Sequence, residues 1–177
     1  MLYNERRMQS RLEAIIMLVR VGIGQDSHRF EDRETGKPLV IGGVRIPDCP
    51  GLDANSDGDV VLHALANAVS GITGCPILGE VADRMCLQEG IMDSSEYVRR
   101  AVEYLRAGQV ISHVSISIEC ARPRLSPHLY AMRESISHLL GIEAKDVGIT
   151  VTSGEGLTDS GRGLGISAMC VVTVTES

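Results

Sequence analysis

Residues 56–73, SDGDVVLHALANAVSGIT, carry the longest helical pattern in the chain. Val60, Leu62, Ala64, Leu65, Ala68, Val69 and Ile72 recur at three- and four-residue spacing, and Ser56-Asp57-Gly58 ahead of them offers capping residue types. A helix over residues 59–73 follows. Upstream, Val21-Gly22-Ile23-Gly24 reads as a strand, and Leu39-Val40-Ile41 and Val44-Arg45-Ile46 flank Gly42-Gly43, the two-glycine signal of a tight hairpin. Downstream, Asp93-Ser94-Ser95-Glu96 has capping-box spacing and opens a second helix burying Val98, Ala101, Val102 and Leu105, ended by Gly108. Val114, Ile116 and Ile118 alternate with polar residues as a half-buried strand. Ser126-Pro127 supplies an N-cap and a first-turn proline for a third helix with Leu129, Met132, Ile136, Leu139 and Leu140 on one face, up to Gly141. Residues 147–152 and 167–175 are strand-like. Strands alternating with helices, with no low-complexity linker and no internal repeat, indicate one α/β domain.

The chain has 177 residues, 44% hydrophobic and 23% charged, enough apolar side chain for one packed core. A formal charge of -6 excludes binding of nucleic acid or anionic membrane through the overall field, and 3% aromatics leaves few platforms for stacking bases. Cys49, Cys75, Cys86, Cys120 and Cys170 are odd in number and lack C-x-x-C spacing, the usage of reduced thiols in a cytoplasmic protein. No apolar run reaches the roughly 20 residues of a membrane span. Residues 1–20 mix Arg6, Arg7, Arg11 and Arg20 with Glu5 and Glu13 around a helical apolar spacing; they read as an N-terminal extension, with the functional domain at 21–177.

Asp26 and His28 are two apart in an extended segment and project to one side. His63 lies one turn beyond Asp59 on an otherwise apolar helix. Asp plus two His is a catalytic zinc set with an open fourth position; spacing alone equally allows a half-buried histidine and a turn aspartate. The helix start at Ser56-Asp57-Gly58-Asp59 is either a cap or a phosphate site on free N–H groups. Arg122-Pro123-Arg124-Leu125-Ser126 sets two cations beside a helix N-terminus, and Thr152-Ser153-Gly154-Glu155-Gly156 offers hydroxyls and one carboxylate suited to magnesium. A solvated loop and a plain turn would look the same. Ser160-Gly161-Arg162-Gly163 is an anion site or an exposed loop.

In order along the chain, Gly24-Gln25-Asp26-Ser27-His28-Arg29-Phe30, Ile41-Gly42-Gly43-Val44-Arg45-Ile46-Pro47, Ser56-Asp57-Gly58-Asp59-Val60 and His63-Ala64-Leu65, then Pro123-Arg124, Pro127-His128, Glu155 and Gly161-Arg162-Gly163, resemble the 2-C-methyl-D-erythritol 2,4-cyclodiphosphate synthase family. The D-x-H followed by SDGD-x-x-x-H is specific to that family, and the resemblance spans nearly everything from Arg20 to Thr175. It implies a single α+β domain, a mixed four- to five-stranded sheet packed on one side by helices, and trimers about a threefold axis with sites between subunits. It also implies zinc on Asp26, His28 and His63, magnesium or manganese on Glu155, and a nucleotide-diphosphate substrate. Asn55, Ser56 and Asp57 would meet the erythritol phosphate and Glu80 a sugar hydroxyl. Arg122, Pro123, Arg124, Leu125 and Ser126, with Ser153 and Gly154, would form the nucleotide pocket, and Arg162 would lie near the threefold axis.

Departures from the family pattern cluster around the substrate. Asn55 replaces the His of HSDGD, Glu80 the Asp of GDIG, Gly154 and Gly156 the Thr and Lys beside the Glu, and the FPDTD segment is absent. Two alternatives keep the metals: a paralogue that binds a nucleotide or isoprenoid diphosphate without turnover, and a zinc enzyme acting on another phosphorylated substrate.

Overall fold

A computed structural model describes residues 17–31 and 36–176; the helical reading of residues 1–16 lies outside them. Among the described residues, six strands and four α-helices follow in the order β1 (Leu18–Arg29), β2 (Pro38–Ile41), β3 (Val44–Pro50), α1 (Val60–Thr73), α2 (Glu80–Leu87), α3 (Ser94–Val102), β4 (Gln109–Glu119), α4 (Leu129–Leu140), β5 (Val147–Thr152) and β6 (Gly165–Glu176). The main sheet is four-stranded and mixed, ordered β1-β6-β4-β5. Only β4 and β5 are parallel, joined by α4 as a parallel pair requires. β2 and β3 form a separate hairpin, whose turn at Gly42 and Gly43 has φ of 61° and 75°, the mirror-image turn that matches strand twist.

Why α1 lies on β1 is written in β1. Its alternate residues Gly22 and Gly24 face the helix so closely that a Cβ on either would stand 2.1 Å from a carbonyl oxygen of α1, that of Ala68 or of Ala64. Two glycines therefore let helix backbone rest on strand backbone. Leu62, Leu65, Val69, Val98, Ile116, Ile118, Met132 and Val172 fill the layer between sheet and helices and are fully or almost fully buried. On the opposite face Val19, Val21, Ile23 and Met169 are exposed. The helices thus cover one side of the sheet.

Local signals held with informative exceptions. The cap of α1 is Asp59 itself: its carboxylate accepts from the N–H groups of Val61 and Leu62, and also from Gly42 and Gly43 in the hairpin turn. The phosphate reading of that helix start is corrected, because the side chain within the helix already occupies those N–H groups. Asp93 caps α3 through Ser95 N–H, while Glu96 pairs with Arg99 instead of closing the box. Residues 126–128 form a 3-10 turn leading into α4. Helix α2 was not anticipated; Ala82, Met85 and Cys86 are its buried face and do carry helical spacing. All five cysteines are free, and burial pushes Cys120 up to about 11 and Cys170 up to about 12, which makes both poor nucleophiles.

Candidate metal centre and substrate cleft

Asp26 and His28 continue the face of β1 begun by Gly22 and Gly24, so they point toward α1, where His63 stands one turn inside the helix. The backbone bond from His63 N–H to Asp59 O, 2.9 Å, belongs to that first turn. The close strand and helix packing brings three donor atoms together: His63 Nδ1 lies 2.8 Å from Asp26 Oδ2 and 3.1 Å from His28 Nε2, and the last two are 3.0 Å apart. Ligand atoms at 2.0–2.2 Å around a tetrahedral ion sit roughly 3.3 Å from one another. Two imidazole nitrogens and a carboxylate oxygen with these spacings fit zinc or a similar divalent ion, and they form the sole three-ligand cluster of this kind among the described residues. Burial raises the Asp26 carboxyl, but the two imidazoles beside it outweigh that effect and hold it far below the usual carboxylate range, so it is charged and ready as a ligand.

The cluster opens into a cleft of about 390 Å³ walled by Asp53, Asn55, Ser56, Gly79, Ala82, Asp83, Cys86 and Tyr97. Asn55 is exposed there, whereas Ser56 is buried, its hydroxyl accepting from Gly58 N–H and lying 3.3 Å from His63 Nε2. Asp57 is turned away from the cleft and bound to Ser94. Glu80 does not line the cleft; it borders a surface hollow with Asp83, Arg84, Leu87 and Gln88. Besides Asp26, the acidic residues lining the cleft are Asp83 on α2 and Asp53 in the loop before α1. Neither was singled out from the sequence; reading residues 79–86 as helical, with 79, 82, 83 and 86 on one face, would have found Asp83.

Of the remaining expected site residues, Ser153, Gly154 and Glu155 follow β5 at the other edge of the sheet, whereas Arg122 and Pro123 share a cavity with Phe30 and Glu31, just past the end of β1. Asp26, Ala168, Ile118 and Val151 are consecutive cross-strand partners, so the metal ligands on β1 and the Thr152-Ser153 end of β5 are three strand spacings, about 14 Å, apart. Ser153 and Glu155 are exposed and Gly154 partly so; Glu155 has φ of 49° and does not enter the metal cleft. Gly154 is explained locally, since a Cβ there would lie 2.7 Å from the Glu119 carboxylate, and that carboxylate accepts from the Thr158 hydroxyl. Leu125 is 1% exposed and belongs to the core, leaving Arg122, Arg124 and Ser126 as the exposed side chains of that stretch. Arg122 donates to Gly163 O, and with Pro123 it lines a larger cavity of about 450 Å³ that contains none of the metal ligands. The chemistry belongs to the smaller cleft. Arg162 is engaged by Asp159 at 2.6 Å, which Arg29 also grips at 3.0 Å.

An edge strand and a capped helix that together bring two histidines and a carboxylate, able to hold a metal ion, to the mouth of a polar cleft define an α+β enzyme class. The YgbB family model matches residues 19–175. The 2-C-methyl-D-erythritol 2,4-cyclodiphosphate synthase of Chlamydia caviae is 52% identical over 159 residues, covering 90% of each chain. Among solved structures, the bifunctional IspDF of Campylobacter jejuni superposes with a TM-score of 0.81 at 27% identity, over 91% of this chain and 43% of that one. A 2C-methyl-D-erythritol-2,4-cyclodiphosphate synthase in a form bound to CDP gives 0.69 at 32% identity, over 86% of this chain and 98% of that one. The chain belongs to the YgbB family, that of the 2-C-methyl-D-erythritol 2,4-cyclodiphosphate synthases.

Proposed function

We propose that this chain converts 4-diphosphocytidyl-2-C-methyl-D-erythritol 2-phosphate into 2-C-methyl-D-erythritol 2,4-cyclodiphosphate and CMP, a phosphorus-oxygen lyase reaction of the non-mevalonate isoprenoid pathway. The observation that carries this reading is the convergence of Asp26, His28 and His63 at a polar cleft in a chain half identical to curated synthases. The 2-phosphate oxygen attacks the β-phosphorus in line and CMP departs, so the protein's task is to hold two anionic groups together and exclude other geometries. When bound, zinc on Asp26, His28 and His63 polarises a phosphate oxygen, and magnesium or manganese on Glu155 neutralises charge on the diphosphate. As a lone exposed carboxylate, Glu155 suits an ion whose remaining ligands come from substrate phosphates and water.

Asn55 and the wall beneath it hold the erythritol phosphate. Asp83, which faces the cleft, takes the sugar hydroxyl that sequence alone assigned to Glu80. Arg124, Ser126, Ser153 and Gly154 receive the nucleotide. Because Ser153 and Gly154 follow β5, three strand spacings from the metal ligands on β1, a complete site takes its nucleotide half from a neighbouring subunit. A homotrimer about a threefold axis is the arrangement proposed, supported by the uncovered apolar residues Val19, Val21, Ile23 and Met169 on the free sheet face. Residues 21–177 form the catalytic domain of this reading and residues 1–20 an extension. The setting is cytoplasmic, without nucleic acid or membrane partners; no helix of the described residues is long and apolar enough to cross a membrane.

Phosphorus NMR of the protein with zinc, magnesium and the diphosphocytidyl substrate tests the reading. Cyclic diphosphate and CMP that vanish on chelation are expected. Tight binding without CMP release would assign a non-catalytic paralogue, and neither outcome would point to another phosphorylated substrate.

A further inference from the structure

Behind the metal ligands lies a buried polar chain that the reaction above does not use. His63 Nε2, the ring nitrogen facing away from Asp26 and His28, lies 2.9 Å from Ser94 Oγ. The Ser94 hydroxyl donates in turn to Asp57 Oδ1. Asp57 is fixed from two further sides, its Oδ2 accepting from Ser94 N–H at 3.2 Å and its Oδ1 from Asp59 N–H at 3.1 Å. Ser94 is completely buried and His63 is 6% exposed, so water cannot replace any of these partners at little cost.

Donor and acceptor counting sets the direction of the chain. A serine hydroxyl has one proton, and a carboxylate can only accept. With its proton committed to Asp57, Ser94 presents a lone pair to His63, and Nε2 must therefore carry a hydrogen. A neutral imidazole protonated at Nε2 presents its lone pair at Nδ1, the nitrogen that faces Asp26 and His28. Ser56 Oγ, at 3.3 Å from the same Nε2, is the weaker partner and already accepts from Gly58 N–H. Three segments thus meet on one ring: the loop before α1, the first residue of α3, and α1 itself.

We propose that Ser94 and Asp57 are positioning residues of the metal centre, a hydroxyl and carboxylate relay that fixes the tautomer and orientation of His63 for coordination through Nδ1. The inference rests on the metal reading of Asp26, His28 and His63, and it gives Asp57 a role behind the metal in place of substrate contact. Outer partners of ligating histidines typically contribute 10- to 100-fold in metal affinity. Ser94→Ala removes the hydroxyl while leaving α3 capped by Asp93 and Asp57 bonded to two backbone N–H groups.

The test is zinc binding by the purified full chain, measured by competition with a chromophoric chelator, for wild type, His63→Ala, Ser94→Ala and Asp57→Asn, with the thermal midpoint of each metal-free protein recorded alongside. Ser94→Ala is expected to bind zinc at least tenfold more weakly, beyond what the fall in its metal-free midpoint accounts for, and Asp57→Asn to fall between it and wild type. Nitrogen-15 NMR of histidine-labelled, zinc-loaded wild type is expected to show metal on Nδ1 of His63 and a slowly exchanging proton on Nε2, a readout independent of whether a variant folds. Wild-type zinc affinity in Ser94→Ala, or coordination of His63 through Nε2, would overturn the relay while leaving the metal centre intact. Failure of wild type itself to bind zinc, or unchanged binding by His63→Ala, would instead overturn the metal reading, and the relay with it.

Discussion

Gly24→Ala offers a direct test of the packing that builds the site. The new Cβ would lie 2.1 Å from Ala64 O, 2.3 Å from Ala68 N and 2.8 Å from the Asn67 side chain, whereas ordinary contact begins at 3.4 Å. Two of these neighbours are helix backbone and have no rotamer to change, so α1 must retreat from β1 by about 1.3 Å, the difference between 3.4 and 2.1 Å. Overpacking of this kind costs about 1–3 kcal/mol, and a backbone obstacle favours the upper part of that range. Lower unfolded-state entropy returns about 0.4–1 kcal/mol. A net loss of about 2 kcal/mol lowers the midpoint of a chain this size by roughly 4–8 °C. His63 immediately precedes Ala64 and moves with it, while a functional constellation tolerates only about 0.5 Å. Zinc affinity should therefore fall by more than the stability change alone explains. The assay is thermal unfolding of the metal-free protein paired with chelator competition, and the control is Gly71→Ala. On α1 the Gly71 Cβ would meet nothing nearer than Ile23 O at 3.6 Å, so that variant should keep its zinc and gain up to about 1 kcal/mol of helix stability. A Gly24→Ala protein with wild-type midpoint and wild-type zinc affinity would refute the argument that these glycines set the ligand geometry.

His63→Ala should lose bound zinc and turnover together, since two remaining ligands hold the ion poorly; metal content by elemental analysis decides it, and full occupancy at full rate would remove His63 from the site. Glu155→Gln should raise the magnesium concentration needed for half-maximal rate with zinc content unchanged, and an unmoved magnesium titration would count against that assignment. Asp83→Asn should raise KM for the diphosphocytidyl substrate severalfold while Glu80→Gln leaves it near wild type, and the reverse order would return the sugar contact to Glu80. Burial outweighs four N–H donors and pushes the Asp59 carboxyl up to about 6 from an ordinary value of 3.8. With the folded pKa above the unfolded one, its stabilisation is complete below about pH 4 and is lost as pH rises through 6, a change on the order of 3 kcal/mol. The stability of wild type relative to Asp59→Asn, from urea midpoints, should therefore decline across that window and level off above it; a difference independent of pH would show that the carboxyl titrates normally.

What the sequence displayed was geometry carried by regular spacing. Asp26 and His28 are two apart on a strand, so their common side follows from the pleat, and His63 follows from the same helical period that identified α1. The hairpin turn and most helix limits were legible for the same reason, that they depend on neighbours within about five residues. The role of Asp57 was hidden because its partner, Ser94, lies 37 residues away at the start of another helix. Glu80 occupies the family's acidic position in a short string, but the turn of α2 leaves it outside the metal cleft, which Asp83 borders instead. Gly154 read as a lost contact, and its cause, the Glu119 carboxylate in the space a side chain would need, belongs to a strand more than thirty residues earlier.

The same distinction explains how an acidic chain can handle an anionic substrate. Charge near this site is arranged by local partners instead of by excess of one sign: Asp159 is paired with Arg29 and Arg162, Asp26 lies against two imidazoles, and Asp57 is held by hydroxyl and N–H donors. Arg124, by contrast, is exposed, and the function proposed above sets it against the nucleotide. Removing Arg124 should on that reading weaken nucleotide binding in a salt-dependent way, while leaving zinc affinity unchanged. An Arg124→Ala variant whose CDP affinity keeps the wild-type dependence on ionic strength would show that this cation never faces the diphosphate, and the nucleotide half of the site would then have to be sought at the larger cavity beside Arg122.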